Sequence, residues 1–508
     1  MRSDLMARYL MGIDNGGTVI KAALYRLDGK EIAVAFQHTP VFSPQPGYQQ
    51  RDMEEVWQKN CACIRQVLKQ AAISPEEVTA LAVCGHGKGL YLWGKDGRPA
   101  YPGIASTDNR AWSYPGRWKE SGIFSQLYPQ LCQQQLACQP SALLAWLKDH
   151  EPTVYQNIQW VFSIKDYIRF RLTGTALSEC TDLSGSGLMD VKNQCIDSQL
   201  LRTLGIEEAA EMIPPLCCSF DLCGQVTPEA AALTGLCPGT PVAGGMFDID
   251  ACAIAMAVTS PDQLCTITGT WSINEFISTQ PKLGTKVAMN SLYAIPGYYL
   301  LEECSPTSAG NLEWNLKQLA AGLDLPQGES LYDGVNHLVD SISPEDCQVY
   351  YLPFLYGSNA HPLAKASFLG LTSYHTAAHM LRAVFEGVAF SHKVHIDRLL
   401  TARQAPSVIR MGGGAANSAV WSQMFADVLN LPIQQVSGVR ELGALGCAMA
   451  AGVAAGIYID YSQAAQSMVR MGTPILPDPD RHAVYQAKFE TYQAISSALD
   501  TIWDRFIV

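Results

Sequence analysis

The sequence from Tyr9 to Tyr25 reads YLMGIDNGGTVIKAALY, an apolar run, a glycine-rich turn and a second apolar run. Runs of this length, bounded by turn residues, predict two β-strands joined by a tight turn. The turn combines the Asp14 carboxylate at a strand end, two glycines (Gly16, Gly17) that let backbone N–H groups approach an anion, and the Thr18 hydroxyl. Taken alone, the stretch fits an ordinary β-hairpin or a turn that holds a magnesium-bound phosphate.

A second strand–turn–strand pattern stands at residues 264–277, LCTITGTWSINEFI, with Gly269 and Thr270 in its turn. Two such turns that face each other across a cleft can hold one triphosphate from both sides, which favours an ATP site. Neither turn is a Walker A loop, because Gly-x4-Gly-Lys-Ser/Thr is absent, and a strand follows the first turn where a Rossmann fingerprint needs a helix. We interpret the repeat as an internal duplication, one copy in each half.

Helical periodicity separates the predicted strands. Apolar residues recur at helical spacing in five stretches, Asp52–Ala72, Ser141–His150, Thr376–Leu400, Ser462–Met471 and Ala483–Phe506. Strands that alternate with helices indicate the α/β class. A turn-rich bend at residues 259–262 predicts the boundary between the halves near residues 250–262, and we expect a cleft there.

Composition narrows the classes of protein. A chain of 508 residues with 48% hydrophobic and 16% charged residues predicts two or more folded domains. The net charge is −12 and no dense Lys/Arg stripe occurs, so nucleic acid is not an expected partner. We find no membrane-length apolar segment and no signal-peptide pattern, and expect a cytoplasmic protein. The sixteen cysteines, including a cluster at Cys217, Cys218 and Cys223, lack zinc-ligand spacing and are expected to be reduced thiols.

Two further segments could carry chemistry. Residues 408–427 read VIRMGGGAANSAVWSQMFAD, a strand, three glycines and a helix, so the turn fits either a base or phosphate site or a capped helix start. Residues 241–252 read PVAGGMFDIDAC and place Asp248 and Asp250 in an apolar segment. A buried unpaired carboxylate is costly, so such a residue caps a helix or has a function. The residues alone do not separate these two aspartates.

The segment Cys84–Leu90 reads CGHGKGL and is followed by Asp108 and Arg110. Lys88 between glycines is either a pocket residue or a surface lysine. Asp108 and Arg110 can hold one another as a structural ion pair or bind hydroxyls. His86 is expected to be a hydrogen-bonded structural histidine, because no partner stands at metal-ligand spacing.

Together these motifs resemble the FGGY family of carbohydrate kinases over nearly the whole chain. Further segments that resemble family blocks in order are Gly47–Asp52, Phe170–Gly174, Gly235–Val242, Tyr351–Ser358, Phe385–Phe390 and Gly443–Ala448. The segments Ser305–Trp314 and Phe354–Ala360, with the Lys88 block, are most similar to the L-xylulose kinase branch.

The resemblance implies two actin-like, ribonuclease H-like domains flanking a catalytic cleft, at residues 1–256 and 257–508, with the terminal helices packing near the interface. It implies that Asp248 is the catalytic base and that Asp14 lies by magnesium and the substrate. The implied ATP-binding residues are Gly16, Gly17, Thr18, Lys21, Gly269, Thr270, Gly413, Gly414, Asn417 and Ser418. The implied substrate-binding residues are Asp14, Gly87, Lys88, Asp108 and Asp248.

The implied function is an ATP- and Mg²⁺-dependent kinase, expected to be a homodimer, that phosphorylates the terminal hydroxyl of a ketopentose such as L-xylulose. Lys88 leaves a sugar acid such as 3-keto-L-gulonate, or another pentulose or polyol, as alternatives, because a pocket ammonium needs an anionic or hydroxylated partner. A catalytically silent sugar or nucleotide sensor and a chaperone-type ATPase are rivals from other classes.

Three positions depart from the family pattern. Tyr48 and Gln50 stand where the family has tryptophan and glutamate, and Leu143 stands where many members have lysine. None of them is a residue that the resemblance implies to be catalytic.

Overall fold

The computed structural model describes residues 8–269, 271–319, 330–358, 361 and 363–506. Strands are numbered in chain order: β1 Tyr9–Asn15, β2 Val19–Arg26, β3 Glu31–His38, β4 Gln50–Arg51, β5 Val78–Gly85, β6 Tyr91–Gly94, β7 Gly103–Ile104, β8 Ile158–Phe162, β9 Ser178–Glu179, β10 Leu216–Cys217, β11 Leu222–Gln225, β12 Pro241–Ala243, β13 Met246–Phe247, β14 Leu264–Thr268, β15 Ser272–Ser278, β16 Met289–Leu292, β17 Tyr299–Ser305, β18 Tyr350–Leu352, β19 Ser367–Leu369, β20 Ile409–Gly413 and β21 Ile433–Gln435.

The α-helices are α1 Met53–Ala71, α2 Ser113–Glu120, α3 Ile123–Leu131, α4 Pro140–His150, α5 Pro152–Asn157, α6 Ile164–Thr173, α7 Cys180–Ser184, α8 Ser198–Thr203, α9 Ala209–Met212, α10 Pro228–Thr234, α11 Asp248–Ala255, α12 Gly310–Leu319, α13 Leu331–Asp340, α14 Ala377–Leu399, α15 Ala419–Leu429, α16 Leu442–Ala454, α17 Tyr461–Met468 and α18 Pro479–Asp500. Short 3-10 helices lie at Pro75–Glu77, Gly414–Asn417 and Trp503–Phe506. None of these described helices is both long and apolar enough to cross a membrane.

The two large sheets share one core topology, in agreement with the repeat that the sequence predicts. In the first half the strand order is β11-β12-β5-β1-β2-β3, and in the second it is β16-β17-β15-β14-β20-β21. Each sheet has a central hairpin, β1–β2 or β14–β15, whose first strand also pairs in parallel with a later strand, β5 or β20. Both glycine-rich turns therefore lie at the same place in their respective sheets.

The predicted helices form where the periodicity indicated them. The Asp52 side chain accepts a hydrogen bond from the backbone N–H of Glu55 at 2.9 Å and caps α1, whose apolar face packs on the first sheet. Helices α4 and α14 also agree with the predictions within one residue. The last two helices differ from the predictions. Helix α17 ends at Met468, three residues before the predicted end, and α18 begins at Pro479 and ends at Asp500, where residues 483–506 were predicted. Proline is favoured in a first helical turn, where its missing N–H is not needed.

Helices α11 and α16 join the two halves. Each follows a strand of one half, yet both contribute to one apolar cluster with residues from both sheets. The contact between them is close, because a Cβ on Gly446 would lie 2.1 Å from the Ala251 carbonyl oxygen. Helix α17 also contacts the first half, through a hydrogen bond from the Tyr461 hydroxyl to Ser219 Oγ at 2.8 Å. Helix α18 packs within the second half, with Tyr485 and Phe489 in its core.

Candidate active site

Three parallel strands bring the acidic residues of the first half together. Asp14 of β1 lies in register with Cys84 of β5, and Cys84 in turn pairs with Met246 of β13. The first turn, the His86–Lys88 segment and Asp248 follow these three strands directly. Because the carboxyl ends of neighbouring parallel strands lie at one edge of a sheet, residues distant in sequence converge there.

Asp14 and Lys21 face a residue of the second half. Lys21 Nζ lies 3.9 Å from Asp14 Oδ2 and 2.7 Å from Oε2 of Glu441, which precedes α16. Burial lowers the pKa of Lys21, but the two carboxylates outweigh it and hold this pKa above its ordinary value. Burial raises the pKa of Asp14, against the opposing effects of Lys21 and the Cys84 thiol. The result is a charged cluster at the first turn.

Glycine at position 443 lets α16 approach this cluster. A Cβ there would lie 3.0 Å from Asp14 Oδ2. Of the first turn itself, Gly17 and Thr18 are exposed, and the Gly16 N–H donates to the Val19 carbonyl at 3.1 Å. The exposed turn leaves room for a ligand beside Asp14.

The second turn and the triple glycine face the same space. The Thr268 hydroxyl donates to the Gly412 carbonyl at 2.8 Å. Gly413 has a φ of +90°, and a Cβ there would lie 2.7 Å from the Thr268 carbonyl carbon, so the close approach of β14 and β20 requires glycine. Thr270, the other predicted residue of this turn, lies outside the described residues.

A cavity of about 430 Å³ separates the two halves at these turns. Its lining residues are Asp14, Lys21, Cys252, Ile267, Gly269, Met411, Gly412, Gly413, Gly414, Ala416, Asn417, Gln435, Val436, Val439, Arg440, Glu441, Leu442 and Gly443. The cavity thus brings Asp14 and Lys21, which flank the first turn, together with Gly269 of the second turn and the triple glycine. Among the described residues, the predicted ones that are not part of its lining are Gly16, Gly17, Thr18, Gly87, Lys88, Asp108, Asp248 and Ser418. Of the stretch 250–262, where the sequence predicted the cleft, Cys252 alone is among the lining residues.

A second cavity of about 420 Å³ continues from Gly414 and Asn417. The buried side chains of Leu312, Val335, Phe385 and Trp421 form its apolar walls, and Asn336 and Ser418 are polar lining residues. Ser418 Oγ accepts from the Trp421 N–H at 3.1 Å and donates to Asn336 Oδ1 at 2.7 Å. An apolar slot with a few polar groups beside a phosphate-sized cavity suits a nucleoside.

Asp248 and Asp250 have different environments. Asp248 is partly exposed at the first residue of α11. It lies one helical turn before Cys252, which lines the cavity between the two halves. Burial and the nearby Asp14 and Asp182 carboxylates raise its pKa well above the ordinary range. Asp250 is fully buried, and its Oδ1 accepts from the Ala294 N–H at 3.0 Å. Of the two, Asp248 is available to a ligand.

Lys88 lies in a strained loop next to Asp248. Its φ is +64°, a left-handed conformation unusual for lysine, and its Nζ lies 5.8 Å from the centre of the Phe247 ring. Burial lowers the pKa of Lys88, but Glu302, Cys304, Cys138 and Asp248 raise it above its ordinary value. Gly87 permits the contact with Phe247, since a Cβ there would lie 2.5 Å from Cε2 of that ring. The ammonium therefore stays charged beside Asp248.

Asp108 forms an ion pair with Arg110, which is one of the two arrangements that the sequence left open for these residues. Both side chains are fully buried, with Arg110 Nε 2.9 Å from Asp108 Oδ1 and Nη2 2.8 Å from Oδ2. The backbone N–H groups of Gln49 and Arg110 also donate to this carboxylate. The Arg110 guanidinium stacks on the Tyr48 ring at 4.2 Å, so one of the departures from the family pattern packs on this pair. A sugar-binding role for Asp108 stays a prediction.

Four lining residues of these cavities are not among the site residues predicted from the sequence, namely Glu441, Asn336, Phe385 and Trp421. Glu441 carries a signal that could have been used, because it lies two residues before the small-residue segment Gly443–Ala448. Asn336 carries none, since it is one polar residue on the amphipathic helix α13.

Within the described ranges, no three His, Cys, Asp or Glu side chains form a group that could hold a metal ion alone. This fits Mg²⁺, which is usually bound by one or two carboxylates together with substrate phosphates and water. The partly buried carboxylate of Asp14 at the phosphate-sized cavity meets that requirement.

Comparison with known proteins agrees with this geometry. Models of the N-terminal and C-terminal domains of the FGGY family of carbohydrate kinases match residues 9–255 and 264–455. The chain belongs to the FGGY family of carbohydrate kinases. It is 38% identical to an L-xylulose/3-keto-L-gulonate kinase of Escherichia coli, over 97% of this chain and 98% of that protein. It is 37% identical to a probable L-xylulose kinase of Pasteurella multocida, over 97% of this chain and 99% of that protein.

A solved structure, the ligand-bound xylulose kinase of Lactobacillus acidophilus, superposes with a TM-score of 0.88 at 25% identity and covers 98% of this chain and 100% of its own. The fold of the carbohydrate kinase described here is therefore the two-domain, actin-like α/β fold. The enzyme is an ATP-dependent phosphotransferase that acts on a sugar.

Proposed function

We propose that this kinase transfers the γ-phosphate of MgATP to the terminal hydroxyl of L-xylulose, with Asp248 as the general base. The observation that carries the proposal is the position of Asp248, partly exposed at the start of α11 and one turn before Cys252 at the edge of the cavity. A carboxylate at that place can meet a sugar hydroxyl on one side while the triphosphate lies on the other.

Phosphoryl transfer mainly needs positioning and charge stabilisation. Asp248 accepts the proton of the sugar hydroxyl as its oxygen attacks the γ-phosphorus in line and ADP leaves. A carboxylate whose pKa is raised by burial and by neighbouring carboxylates is a stronger base than an exposed aspartate, in keeping with this role. Gly16, Gly17 and Thr18 of one turn and Gly269 of the other would hold the phosphates, with Lys21 beside them.

Nucleoside recognition would use the continuation of the cavity. Gly413, Gly414, Asn417 and Ser418 would face the adenosine, and the apolar walls would exclude water from it. Asp14 would hold Mg²⁺. When bound, the ion would neutralise charge on the β- and γ-phosphates during transfer.

The choice of L-xylulose rests on the names of the two relatives and on Lys88. The relative from Escherichia coli is also named for 3-keto-L-gulonate, so a sugar acid is the second candidate. Lys88 supports the sugar acid as a candidate substrate, because a charged ammonium near Asp248 could pair with a substrate carboxylate. Gly87 and Lys88 would then contact the sugar.

A coupled ADP assay tests the proposal directly. The panel should contain L-xylulose, D-xylulose, L-ribulose, 3-keto-L-gulonate, erythritol and glycerol, with a no-sugar arm. We expect sugar-dependent turnover, highest with L-xylulose. Turnover without any sugar would favour an ATPase, and ATP binding without turnover on any sugar would favour a silent sensor.

The matched variants are Asp248→Asn and Asp250→Asn. Loss of a general base lowers turnover by about 10²- to 10⁴-fold. We expect this for Asp248→Asn with ATP binding retained, whereas Asp250→Asn should keep most turnover. Equal loss in both variants would contradict the assignment of the base.

Two further expectations belong to this proposal. We expect the kinase to act in the cytoplasm, where ATP is available, and to form a homodimer. Sedimentation equilibrium of the full chain tests the second expectation.

A further inference from the structure

A group of buried polar and charged side chains contacts the segment that leads to Asp248. We call it the buried network, and its members come from α6, β9 and α7, namely Lys165, Asp166, Arg169, Glu179 and Thr181. Lys165 Nζ lies 2.8 Å from Asp166 Oδ1 and 3.2 Å from Glu179 Oε2. Arg169 Nη1 lies 2.7 Å from the same Asp166 oxygen. Two cations and two carboxylates thus balance one another away from water.

The charges of the buried network keep their partners in place. Burial lowers the pKa of Lys165, but Asp166 and Glu179 raise it above its ordinary value, so the ammonium stays charged. Removal of one partner of a buried ion pair leaves an uncompensated charge, which is strongly unfavourable. A fully hydrogen-bonded network of this kind therefore resists rearrangement and can support a neighbouring segment.

Glu179 fixes the direction in which the Thr181 hydroxyl points. The hydroxyl donates to Glu179 Oε2 at 2.7 Å, and the backbone N–H of Thr181 donates to Oε1 at 2.9 Å. A carboxylate accepts hydrogen bonds and does not donate them, so the hydroxyl proton is committed to Glu179. The hydroxyl oxygen then accepts from another donor, the backbone N–H of Phe247, at 2.9 Å.

The buried network holds the segment before Asp248 at both of its ends. At one end Arg169 Nη1 donates to the Gly244 carbonyl at 2.5 Å. At the other end the Phe247 N–H donates to Thr181 Oγ1. The strand between them, β13, has two residues, and its parallel pairing is with β5. Because so short a strand has few ladder hydrogen bonds, the bonds to the network help to fix where α11 begins.

We propose that Thr181 is a positioning residue of the kinase reaction, because its hydroxyl, oriented by Glu179, fixes the backbone one residue before Asp248. This inference rests on the proposed function, in which Asp248 is the general base. Thr181 is not among the lining residues of either cavity described above, so it acts through the position of Asp248. A misplacement of about 1 Å that originates away from the reacting atoms can cost about 10²-fold in rate.

Steady-state kinetics of the full chain and of Thr181→Val test the proposal, with MgATP and the panel sugar that gives the highest turnover. We expect kcat to fall about tenfold or more, because the Phe247 N–H loses its acceptor and the start of α11 shifts. The KM for MgATP should change little, since Thr181 does not line the cavity that would hold the triphosphate. Thr181→Ser keeps the hydroxyl and should restore most of the turnover.

Thr234→Val is the matched control. Thr234 is also buried, and its hydroxyl donates to the Ala230 carbonyl at 2.7 Å and accepts from the Leu236 N–H at 3.3 Å. It ends α10, which lines neither cavity. Both valine variants should lower the free energy of unfolding, but Thr234→Val should keep the kcat of the parent. Equal losses of kcat in the two variants would show that Thr181 contributes to stability alone.

A double-mutant cycle separates this inference from the assignment of the base. If Thr181 acts through Asp248, Thr181→Val should lower kcat little further in an Asp248→Asn background. Turnover retained in Asp248→Asn alone would contradict the base itself, and this is measured before any change at Thr181. With Asp248→Asn impaired, losses that simply multiply in the double variant would overturn the positioning role.

Two single-variant results would also overturn it, namely an unchanged kcat in Thr181→Val and an equal loss of kcat in Thr181→Ser. If Thr181→Val does not fold, Thr181→Ala removes the hydroxyl with a smaller side chain, and the same kinetics and the same outcomes apply to it.

Discussion

Lys21 Nζ lies 2.7 Å from Glu441 Oε2 and thereby joins β2, next to the first glycine-rich turn, to the start of α16 in the other half of the chain. The pair is partly buried, and the same ammonium lies 3.9 Å from Asp14. Glu441 therefore holds Lys21 in the place where phosphates are expected.

The variant Glu441→Gln should raise the KM for MgATP by about tenfold, because loss of one partly buried charge pair costs about 1.4 kcal/mol of positioning. Turnover at saturating ATP should change less. The measurement is steady-state kinetics with varied MgATP. Glu54→Gln is the matched control, since it breaks an ion pair of the same length, 2.7 Å to Arg171, and neither of these residues lines the two cavities described above. Equal effects of both variants would contradict a local role for Glu441.

Replacing Lys88 by methionine removes the charge beside Asp248 and keeps much of the apolar stem. If the ammonium pairs with a substrate carboxylate, kcat/KM on 3-keto-L-gulonate should fall about tenfold or more beyond the fall on L-xylulose. Lys95→Met, which removes an exposed lysine bound to the Gln156 carbonyl at 2.7 Å, is the control. The same fall on both sugars would show that Lys88 does not recognise the acid.

Ser418→Ala removes both a helix cap and a polar group of the proposed nucleoside site. Loss of the cap of α15 should lower the free energy of unfolding by about 1 kcal/mol. The KM for MgATP should rise as well, because Asn336 loses its hydrogen bond. Thr227→Ala removes the cap of α10, a helix that does not line either cavity described above, and should lower stability alone. An unchanged KM in Ser418→Ala would remove Ser418 from the site.

Asp250 should make the stability of the folded chain depend on pH. Burial and the nearby Glu179 raise its pKa well above 3.8, and its Oδ2 has no partner among the described residues. The folded chain therefore binds this proton more tightly than the unfolded chain does. The contribution of the proton to folding stability is complete at pH values below the pKa of Asp250 in the unfolded chain, and it is lost as the pH rises towards the pKa of Asp250 in the folded chain.

In the Asp250→Asn variant the side chain at position 250 does not titrate. The variant should therefore gain resistance to urea relative to the parent as the pH rises from 5 to 8. The exposed Asp96→Asn is the control. Parallel pH dependences of parent and Asp250→Asn would show that Asp250 does not titrate in this way.

Local patterns predicted most of the elements around the site. The strand–turn–strand segments at residues 9–25 and 264–277 and the helix near residues 376–400 depend on neighbours in sequence, and the structure confirms them. The bounds of the terminal helix were harder to predict, because a proline can either end a helix or begin one. In α18 the first turn contains Pro479, and the packing of Tyr485 and Phe489 in the core of the second half stabilises the helix there.

Asp248 and Asp250 show where local information is insufficient. They are two residues apart in the same apolar segment, and the sequence alone did not distinguish them except through the family resemblance. The structure separates them because a helix that begins at Asp248 turns side chains two positions apart to different sides, so that Asp248 stays partly exposed and Asp250 is buried in the core.

By itself the sequence determined two glycine-rich turns on duplicated α/β halves, since glycine content, strand length and helical period act over a few residues. Only the tertiary structure decided which residues meet at the cavity. Tyr25 and Glu441 stand 416 positions apart, yet the Tyr25 hydroxyl donates to the Glu441 carbonyl at 2.9 Å. That meeting depends on the close packing of α16 against the first sheet, which no local pattern encodes.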